Sequence, residues 1–260
     1  MLLRLLRVML RLNAMNEFQY RANFFLQLVQ SALELVTGLA GLALVFQHTQ
    51  LLAGWEPAEL LTVLGVYLFF MGFLNFGVTP NLFRLMESVQ EGTLDQVLAR
   101  PVDAQLLVSI SQFQIWKLID VAVGIAVILA SVYLRGASVG VVDAAAFALA
   151  LLCGGALIYS VWFILACSAF WFVRVWSVMD VLEGVSLAGR WPMGIYPGWL
   201  QIGLTFLIPV GVAVTVPAQA LTGRLTAAAL ALLVGLAVVG FVAARWIWRR
   251  GLRAYSGASA

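Results

Sequence analysis

Residues 81–103 read NLFRLMESVQEGTLDQVLARPVD and separate two strongly apolar parts of the chain. Apolar residues recur there at the spacing of one helix face, at Leu82, Leu85, Met86 and Val89. Polar and charged side chains take the other face, and Gly92 supplies the usual helix stop. The stretch therefore begins with an amphipathic helix that has one buried face and one face toward water.

A second short helix is expected after Gly92. Thr93 and Gln96 have the spacing of a capping box, which starts a helix. The apolar side of this helix would consist of Leu94, Val97 and Leu98. Pro101 ends it, because proline forces the preceding residue, Arg100, into an extended conformation. Residues 81–103, which we call the elbow, thus form a stiff, bent element that suits docking against a soluble partner. An ordinary connector at the membrane surface is the alternative.

The composition of the chain decides its class. Of its 260 residues, 63% are hydrophobic and only 10% are charged, and the mean hydropathy is +1.00. A soluble domain of this size needs more polar surface. Several apolar runs approach the ~20 residues that cross a hydrocarbon core as a helix, and period-2 alternation, which a barrel requires, is absent. The sequence predicts an all-α polytopic membrane protein in one domain, residues 1–260.

Five membrane spans follow from the apolar runs. They are predicted at residues 23–46, 58–78, 112–134, 141–172 and 226–248. Residues 1–20 carry Arg4, Arg7 and Arg11 on one helical face among leucines, which predicts an amphipathic helix on the membrane surface. An organellar presequence is the alternative for this segment.

Residues 173–225 allow two readings. Hydropathy favours a span at 198–216 with a surface helix at 176–191. Pro209, however, would split that span near its middle and Pro217 would end it, leaving halves of roughly 16 Å that are too short to cross alone. The alternative is a fifth span at 176–196, followed by a re-entrant hairpin at 198–220.

Both readings give six crossings and the same orientation. If the elbow is cytoplasmic, only Arg135, Arg190 and Arg224 of the 15 basic residues lie outside. The remaining basic residues then lie at the cytoplasmic side, which predicts that both termini are cytoplasmic. They are Arg4, Arg7, Arg11, Arg21, Arg84, Arg100, Lys117, Arg174, Arg245, Arg249, Arg250 and Arg253.

The sequence carries no recognisable catalytic or metal-binding motif. His48 is the one histidine, and neither HExxH, nor GxSxG, nor a glycine-rich loop before a Walker lysine is present. We therefore expect no catalytic residue, no metal and no bound cofactor, so that any ATP and Mg would bind to a partner chain. Asp180 and Glu183 lie three residues apart on one helical face, which keeps a membrane-embedded enzyme as an alternative.

Charged residues inside spans are costly and usually face protein or water. Lys117 and Asp120, at i and i+3, are expected to neutralise each other. Glu34 has no partner in its own helix, whereas Glu183 and Arg190 share a face. These three residues are candidates for lining a polar pathway. Burial between helices beside a partner from a neighbouring helix is the alternative.

Four stretches, in chain order, together resemble one family of membrane proteins. They are YRANFFLQ, EGTLDQVLARPVD, FWFVRV and IYPGWL…TVPAQALTG. They resemble bacterial ABC exporter permeases of the type-2 class, and most of all the short-loop branch with a GxLDxxLxRPV segment between spans two and three. The resemblance implies six spans, an amphipathic helix before the first span and a re-entrant hairpin after the fifth, on the outer side.

Two sets of site residues follow from that resemblance. The elbow would dock a cytoplasmic ATPase subunit, with coupling residues Glu87, Glu91, Gly92, Asp95, Arg100 and Pro101. The hairpin would contain Pro197, Gly198, Trp199, Pro209 and Pro217. The hairpin pattern favours the fifth span at 176–196, although Asp180, Glu183 and Arg190 are unusual in so short a segment.

The function expected from this resemblance is that of a permease subunit in an ATP-driven exporter of the bacterial plasma membrane. Two permease chains, identical or homologous, would form the conduit from their first, second and fifth spans, with two copies of the ATPase below. The cargo would be a hydrophobic or amphiphilic compound, and nucleic acid is not an expected partner. A membrane-embedded enzyme and a non-transporting assembly or sensor protein are the alternatives.

Overall fold

A computed structural model describes residues 2–18, 21–136, 139–172 and 176–255, and this part of the chain contains helices and no β-strand. The α-helices in it are α1 Leu2–Glu17, α2 Arg21–Phe46, α3 Pro57–Phe73, α4 Thr79–Gln90, α5 Asp95–Leu98, α6 Ala104–Ser109, α7 Leu118–Leu134, α8 Val141–Cys167, α9 Trp176–Ser186, α10 Gly198–Ile202, α11 Val210–Thr222 and α12 Ala227–Ala254.

Five helical segments of the described chain are long and apolar enough to cross a membrane. They are Ala22–Phe46, Pro57–Gln90, Ile115–Leu134, Val141–Phe170 and Ala227–Ala254. Each coincides with a predicted span, because a long apolar run has to be helical to satisfy its backbone groups in lipid. The predicted all-α polytopic class is therefore confirmed.

The second span and the elbow share one helix, which the sequence did not predict. A π-helical segment, Leu74–Val78, joins α3 to α4, so helix continues from Pro57 to Gln90. Pro80 stands at the first turn of α4; it lacks a backbone N–H and crowds the carbonyl of Phe76, four residues earlier. The wider π turn accommodates that defect without ending the helix. The elbow is therefore a direct extension of the second span.

Glycines allow α3 and α7 to cross at backbone contact. A Cβ atom built on Gly124 would lie 2.4 Å from the backbone N of Phe69, and one on Gly72 would lie 2.6 Å from that of Val121. Small residues promote this close approach between membrane helices, where lipid supplies no hydrophobic drive for association. α3 and α7 thus form a tightly packed pair of helices.

Helix α11 occupies the middle of the fold. All of its residues except Gln219 are buried, and it packs against α8 and α3. The prediction that Pro217 ends this helix is wrong, because α11 continues past Pro217 to Thr222 and stops at Gly223, which has a φ of 71°. Gly198–Leu207 precedes it and makes an angle of 93° with it, and Pro209 stands at the bend as predicted.

The segment predicted as a fifth span, 176–196, is not one helix. α9 ends at Ser186 and a 3₁₀ turn, Leu187–Arg190, follows it. Trp191 then adopts an extended conformation, with φ −118° and ψ 149°, before Pro192. The cause is local, since a residue that precedes proline is sterically disfavoured in the helical region.

The predicted N-terminal helix is present as α1, and its C-terminal end is attached to the start of α7. Glu17 accepts a hydrogen bond from the backbone N of Trp116 at 3.2 Å, and the Phe18 and Trp116 rings meet edge to face with centroids 5.0 Å apart. Burial in this contact raises the pKa of Glu17 above its ordinary value. α1 is thus packed onto the protein at this end.

Candidate functional site

The elbow buries the face that its apolar pattern predicts. Leu82, Leu85 and Met86 are at most 1% exposed, whereas Arg84 and Glu87 on the opposite side are exposed. α4 therefore fixes one side of the elbow to the protein core and presents the other to the outside.

Gly92 turns the chain at the end of α4, as predicted. Its φ is 73°, and the backbone N–H groups of Thr93 and Leu94 both donate to the carbonyl of Ser88. The predicted capping box of Thr93 and Gln96 is wrong, because α5 begins after Leu94 with no side-chain cap. Leu94, which is fully buried, holds this end of the elbow instead.

The exposed part of the elbow consists mainly of charged side chains, with one exposed leucine among them. Leu98 is 37% exposed at its tip. The surrounding charged residues and proline are exposed as well, and we call this set the elbow surface; it comprises Arg84, Glu87, Glu91, Asp95, Leu98, Arg100 and Pro101. Every predicted coupling residue except the half-buried Gly92 thus belongs to one accessible surface.

One buried side chain, Asn81, fixes the base of the elbow to the chain that follows it. Its Nδ2 donates to the carbonyls of Gly77 at 2.6 Å and Gln112 at 2.7 Å. Its Oδ1 accepts from the backbone N of Ser111 and of Gln112 and from the Ser111 hydroxyl, each at 2.8 Å. The start of the elbow is therefore held against residues 111–112, which lie just before the third span.

A further helix, α6, follows the elbow and was missed by the sequence reasoning. Asp103 caps it by accepting from the backbone N of Leu106 at 3.2 Å, and an aspartate just before AQLLVS is the signal that could have revealed it. Arg245 of α12 donates to Asp103 and, at 2.7 Å, to Gln105. Hydrogen bonding to Arg245 holds the pKa of Asp103 below its ordinary value. The last span is thus tied to the elbow.

The three predicted pathway residues line one cavity of about 200 Å³. Glu34 comes from α2, Glu183 from α9 and Arg190 from the 3₁₀ turn after α9. Tyr67 and Trp162 supply aromatic walls from α3 and α8. We call this space the polar cavity. It brings together three charged residues from three separate parts of the fold.

Arg190 has an incomplete set of partners in the polar cavity. Its guanidinium carbon lies 5.3 Å from the centroid of the Tyr67 ring, a cation–π distance. Its Nε is buried and, within the described chain, has no hydrogen-bond partner. No ion pair among the described residues joins Arg190 to Glu34 or Glu183. The ion pairs in the described part of the chain are Lys117–Asp120, Arg224–Glu59 and Arg245–Asp103.

A second polar cluster lies beside this cavity, between α2 and α7. Lys117 and Asp120 pair at 3.8 Å, as predicted from their spacing. Gln27 also donates to both carboxylate oxygens of Asp120, at 3.0 and 2.9 Å, and Ser31 donates to one of them. The sequence reasoning missed Gln27 and Ser31, although two polar residues at i and i+4 in an apolar span mark such a face.

Comparison with models of protein families shows which family this chain belongs to. The model of the family described as "ABC-2 family transporter protein" matches residues 32–259, which include the elbow and the polar cavity. The chain belongs to the ABC-2 transporter family. No curated protein and no solved structure matches it. As an ABC-2 protein it is a membrane component of an ABC transporter, and such components generally work with ATPase subunits.

The predicted hairpin residues of this ABC-2 protein occupy a bend and its two arms. Pro197 caps α10 and Gly198 begins it, while Trp199 is 74% exposed. Pro209 stands at the 93° bend and Pro217 lies inside the buried α11. The first arm therefore presents apolar surface outward, and the second arm is part of the core.

Proposed function

We propose that this ABC-2 protein is the permease subunit of an ATP-driven exporter in the bacterial plasma membrane. It would pair with a second permease chain, identical or homologous, and with two copies of a cytoplasmic ATPase that bind ATP and Mg. The observation that carries the proposal is the family match over residues 32–259, within which one accessible charged surface projects from a membrane span.

Contacts between the helix ends support six crossings. The rings of Phe170 and Trp248 are 5.7 Å apart, so α8 and α12 end close together. At the other end of the molecule, Arg224 pairs with Glu59 at the start of α3. The chain from α8 to α12 therefore passes from one side to the other, and we propose that residues 176–222 make this crossing, with the hairpin at 198–220 on the outer side.

The distribution of charge supports cytoplasmic termini and a cytoplasmic elbow. Arg245 joins the end of α12 to Asp103, so both lie on one side of the protein. Arg249, Arg250 and Arg253 follow on the same helix and are exposed. Basic residues near span ends favour the cytoplasmic side. The elbow surface would then face the ATPase.

The elbow surface would transmit the closing of the ATPase subunits to the spans. It is joined to the second span by helix without a loop, to the third by Asn81 and to the last by Arg245. A force on Glu91 or Asp95 would therefore act on three spans together. Glu87, Gly92, Arg100 and Pro101 would shape the same contact.

The conduit would run between two permease chains beside the polar cavity. Glu34, Glu183 and Arg190 line that cavity, from α2 and from the segment proposed as the fifth crossing. α2 also exposes an apolar face with Phe25, Val29, Leu33 and Val36, each at least 58% exposed. Lipid or the second chain would cover this face. Export, and a hydrophobic or amphiphilic cargo, rest on the resemblance to type-2 exporter permeases.

Charge reversal on the elbow surface tests the proposal. The double change Glu91→Lys and Asp95→Lys replaces two exposed acids without touching the buried face, so the permease should fold but release its ATPase. Co-purification of a tagged permease with its ATPase measures the contact. We expect at least tenfold less ATPase in the eluate, because reversing the charge of two contact residues removes the electrostatic complementarity of the interface.

Glu56→Lys provides the matched control. Glu56 is also exposed, but it precedes Pro57 at the opposite end of the 34-residue helix, about 50 Å away. This variant should retain the ATPase. Equal retention by the elbow variant would contradict the proposal and favour a membrane-embedded enzyme or an assembly or sensor protein, which has no need of that contact.

A further inference from the structure

We infer that the polar cavity binds the cationic head of an amphiphile, which would make a monocationic amphiphile the cargo class of the proposed exporter. The inference rests on the proposed function for its meaning in transport. Its physical basis is the charge, the aromatic walls and the size of the cavity.

The charge of the cavity lining is unbalanced. Two carboxylates, of Glu34 and Glu183, face one guanidinium, of Arg190, so the net formal charge is −1. Neither carboxylate forms an ion pair within the described chain. Glu34 is half-buried, so its carboxylate is partly removed from water, and a cationic ligand lowers the cost of that burial, whereas Glu183 is exposed and attracts a cation through its charge. An anionic ligand would add a third negative charge to the same space.

The aromatic walls suit a cation as well. Tyr67 already holds the Arg190 guanidinium over its ring at 5.3 Å, so the charge of Arg190 is engaged by a side chain of the protein. Trp162 is the second aromatic wall, and it comes from a different helix, α8. Met71 and Leu74 add apolar lining to the same cavity. Tyr67 and Trp162 are 3% and 2% exposed, so a compact ammonium group would contact only the edge of each ring that reaches the cavity.

The cavity is large enough for a head group and smaller than a site that encloses a whole drug-sized molecule. Pockets for drug-sized ligands have volumes of about 300–1,000 Å³, and this cavity has about 200 Å³. The apolar tail of the ligand would remain outside it. Leu33, which is next to Glu34 and 60% exposed, belongs to the apolar face of α2, along which that tail would lie.

Binding to the full chain in lipid nanodiscs tests the inference without any ATPase. Three ligands with the same ten-carbon chain are compared: decyltrimethylammonium, decyl sulfate and decanol, each corrected for binding to empty nanodiscs. We expect saturable binding of the cation and none of the anion or the alcohol. Glu34→Gln and Glu183→Gln should each weaken cation binding about tenfold, the usual cost of losing a charged partner.

Two further variants sharpen the test. Asp180→Asn removes an exposed carboxylate of α9, the helix that carries Glu183. Asp180 does not line the cavity, so this variant should bind the cation as the unaltered chain does. Arg190→Gln should bind the cation as tightly as the unaltered chain or more tightly. Thermal unfolding of each variant verifies that it is folded.

Three results would overturn the inference: equal binding of decyl sulfate, glutamate variants that bind normally, or an Arg190→Gln variant as weak as the glutamate variants. The last would indicate a ligand that carries an anionic group. If the cation fails to bind while the elbow variant still releases the ATPase, only the cargo class is wrong and the transport function stands.

Discussion

Asn81 is a single side chain that joins two separate parts of the backbone. Its amide makes five hydrogen bonds at 2.6–2.8 Å, and its exposure is 1%. Two of its partners, Ser111 and Gln112, lie about thirty positions later in the chain. Since unsatisfied buried polar groups are costly, the elbow and the start of the third span are held in one arrangement.

Asn81→Ala is expected to loosen the base of the elbow. The change removes both donors and the acceptor and leaves the backbone groups of Ser111 and Gln112 without partners. The free energy of unfolding should fall by about 2 kcal/mol. Thermal unfolding in detergent, followed by tryptophan fluorescence, measures it. Gln96→Ala, an exposed change on the same elbow, is the control and should leave the unfolding temperature in place; an equal unfolding temperature for Asn81→Ala would contradict this role.

At the scale of residues, the sequence predicted which side of a helix is buried but not which distant residues a side chain contacts. The buried face of α4 and the turn at Gly92 followed from periodicity and from the backbone freedom of glycine. The capping box at Thr93 failed because burial of Leu94 decides where α5 begins. Asn81 gave no signal, because its role depends on contacts with a distant segment.

Among the helices, the pair α3 and α7 depends on the absence of side-chain atoms. Gly65, Gly72 and Gly124 bring the two backbones together, and an added Cβ atom at any of them would lie less than 3.0 Å from a neighbouring atom. At Gly124 the nearest atoms belong to the backbone of Phe69, which cannot move aside as a side chain would.

Gly124→Ala should therefore separate α3 from α7. We expect a loss of about 2–3 kcal/mol in the free energy of unfolding, the cost of overpacking a core, and a lower yield of folded protein. Gly235→Ala in α12 is the matched control, because nothing lies within 4 Å of its Cβ position. That variant should be unchanged or more stable, since alanine favours helix. Equal behaviour of the two variants in thermal unfolding would be evidence against the tight crossing.

At the scale of elements, the membrane-spanning helices could be predicted from the long apolar runs, but the irregular turns and helix ends could not. Five predicted spans have counterparts in the structure, since the length of an apolar run sets the length of the helix. The join of α3 to α4 was missed because the second span was predicted to end at residue 78, whereas a π turn carries the helix on past Pro80. Pro217 lies within α11 because the surrounding helices enclose it.

On the side of the molecule away from the elbow, an ion pair joins two parts of the chain that are distant in sequence. Arg224 donates to Glu59 at 2.9 and 2.7 Å and to the carbonyl of Gly54 at 2.8 Å, and it lies 5.2 Å from the Trp55 ring centroid. Glu59 is 6% exposed. The loop before α3 is thus joined to the loop before α12, more than 160 residues later.

Arg224→Gln should lower the free energy of unfolding by about 3 kcal/mol, because it leaves the buried carboxylate of Glu59 without a counter-charge. Adding Glu59→Gln should recover part of that loss, since the double variant contains no unpaired buried charge. Denaturant-induced unfolding of the two single variants and the double variant measures the coupling. Strictly additive effects would exclude a specific pair.

The polar cavity was predictable at this scale for one reason. Charges are so costly within apolar segments that the few present usually face protein or water. For this reason Glu34, Glu183 and Arg190 were predicted together as lining a polar pathway, and they line one cavity. Their helices are about 150 positions apart, so the volume of the cavity and the walls of Tyr67 and Trp162 were accessible only from the fold.

The π-helical segment Leu74–Val78 has a mechanical consequence. It is the one irregular turn in the helix Pro57–Gln90, so bending would concentrate there. Beyond it, α4 is a lever of twelve residues, about 18 Å long. A swing of about 10° at this pivot would displace the tip of α4 by about 3 Å. The opposite end of the helix would stay in place, because Glu59 is held there by Arg224.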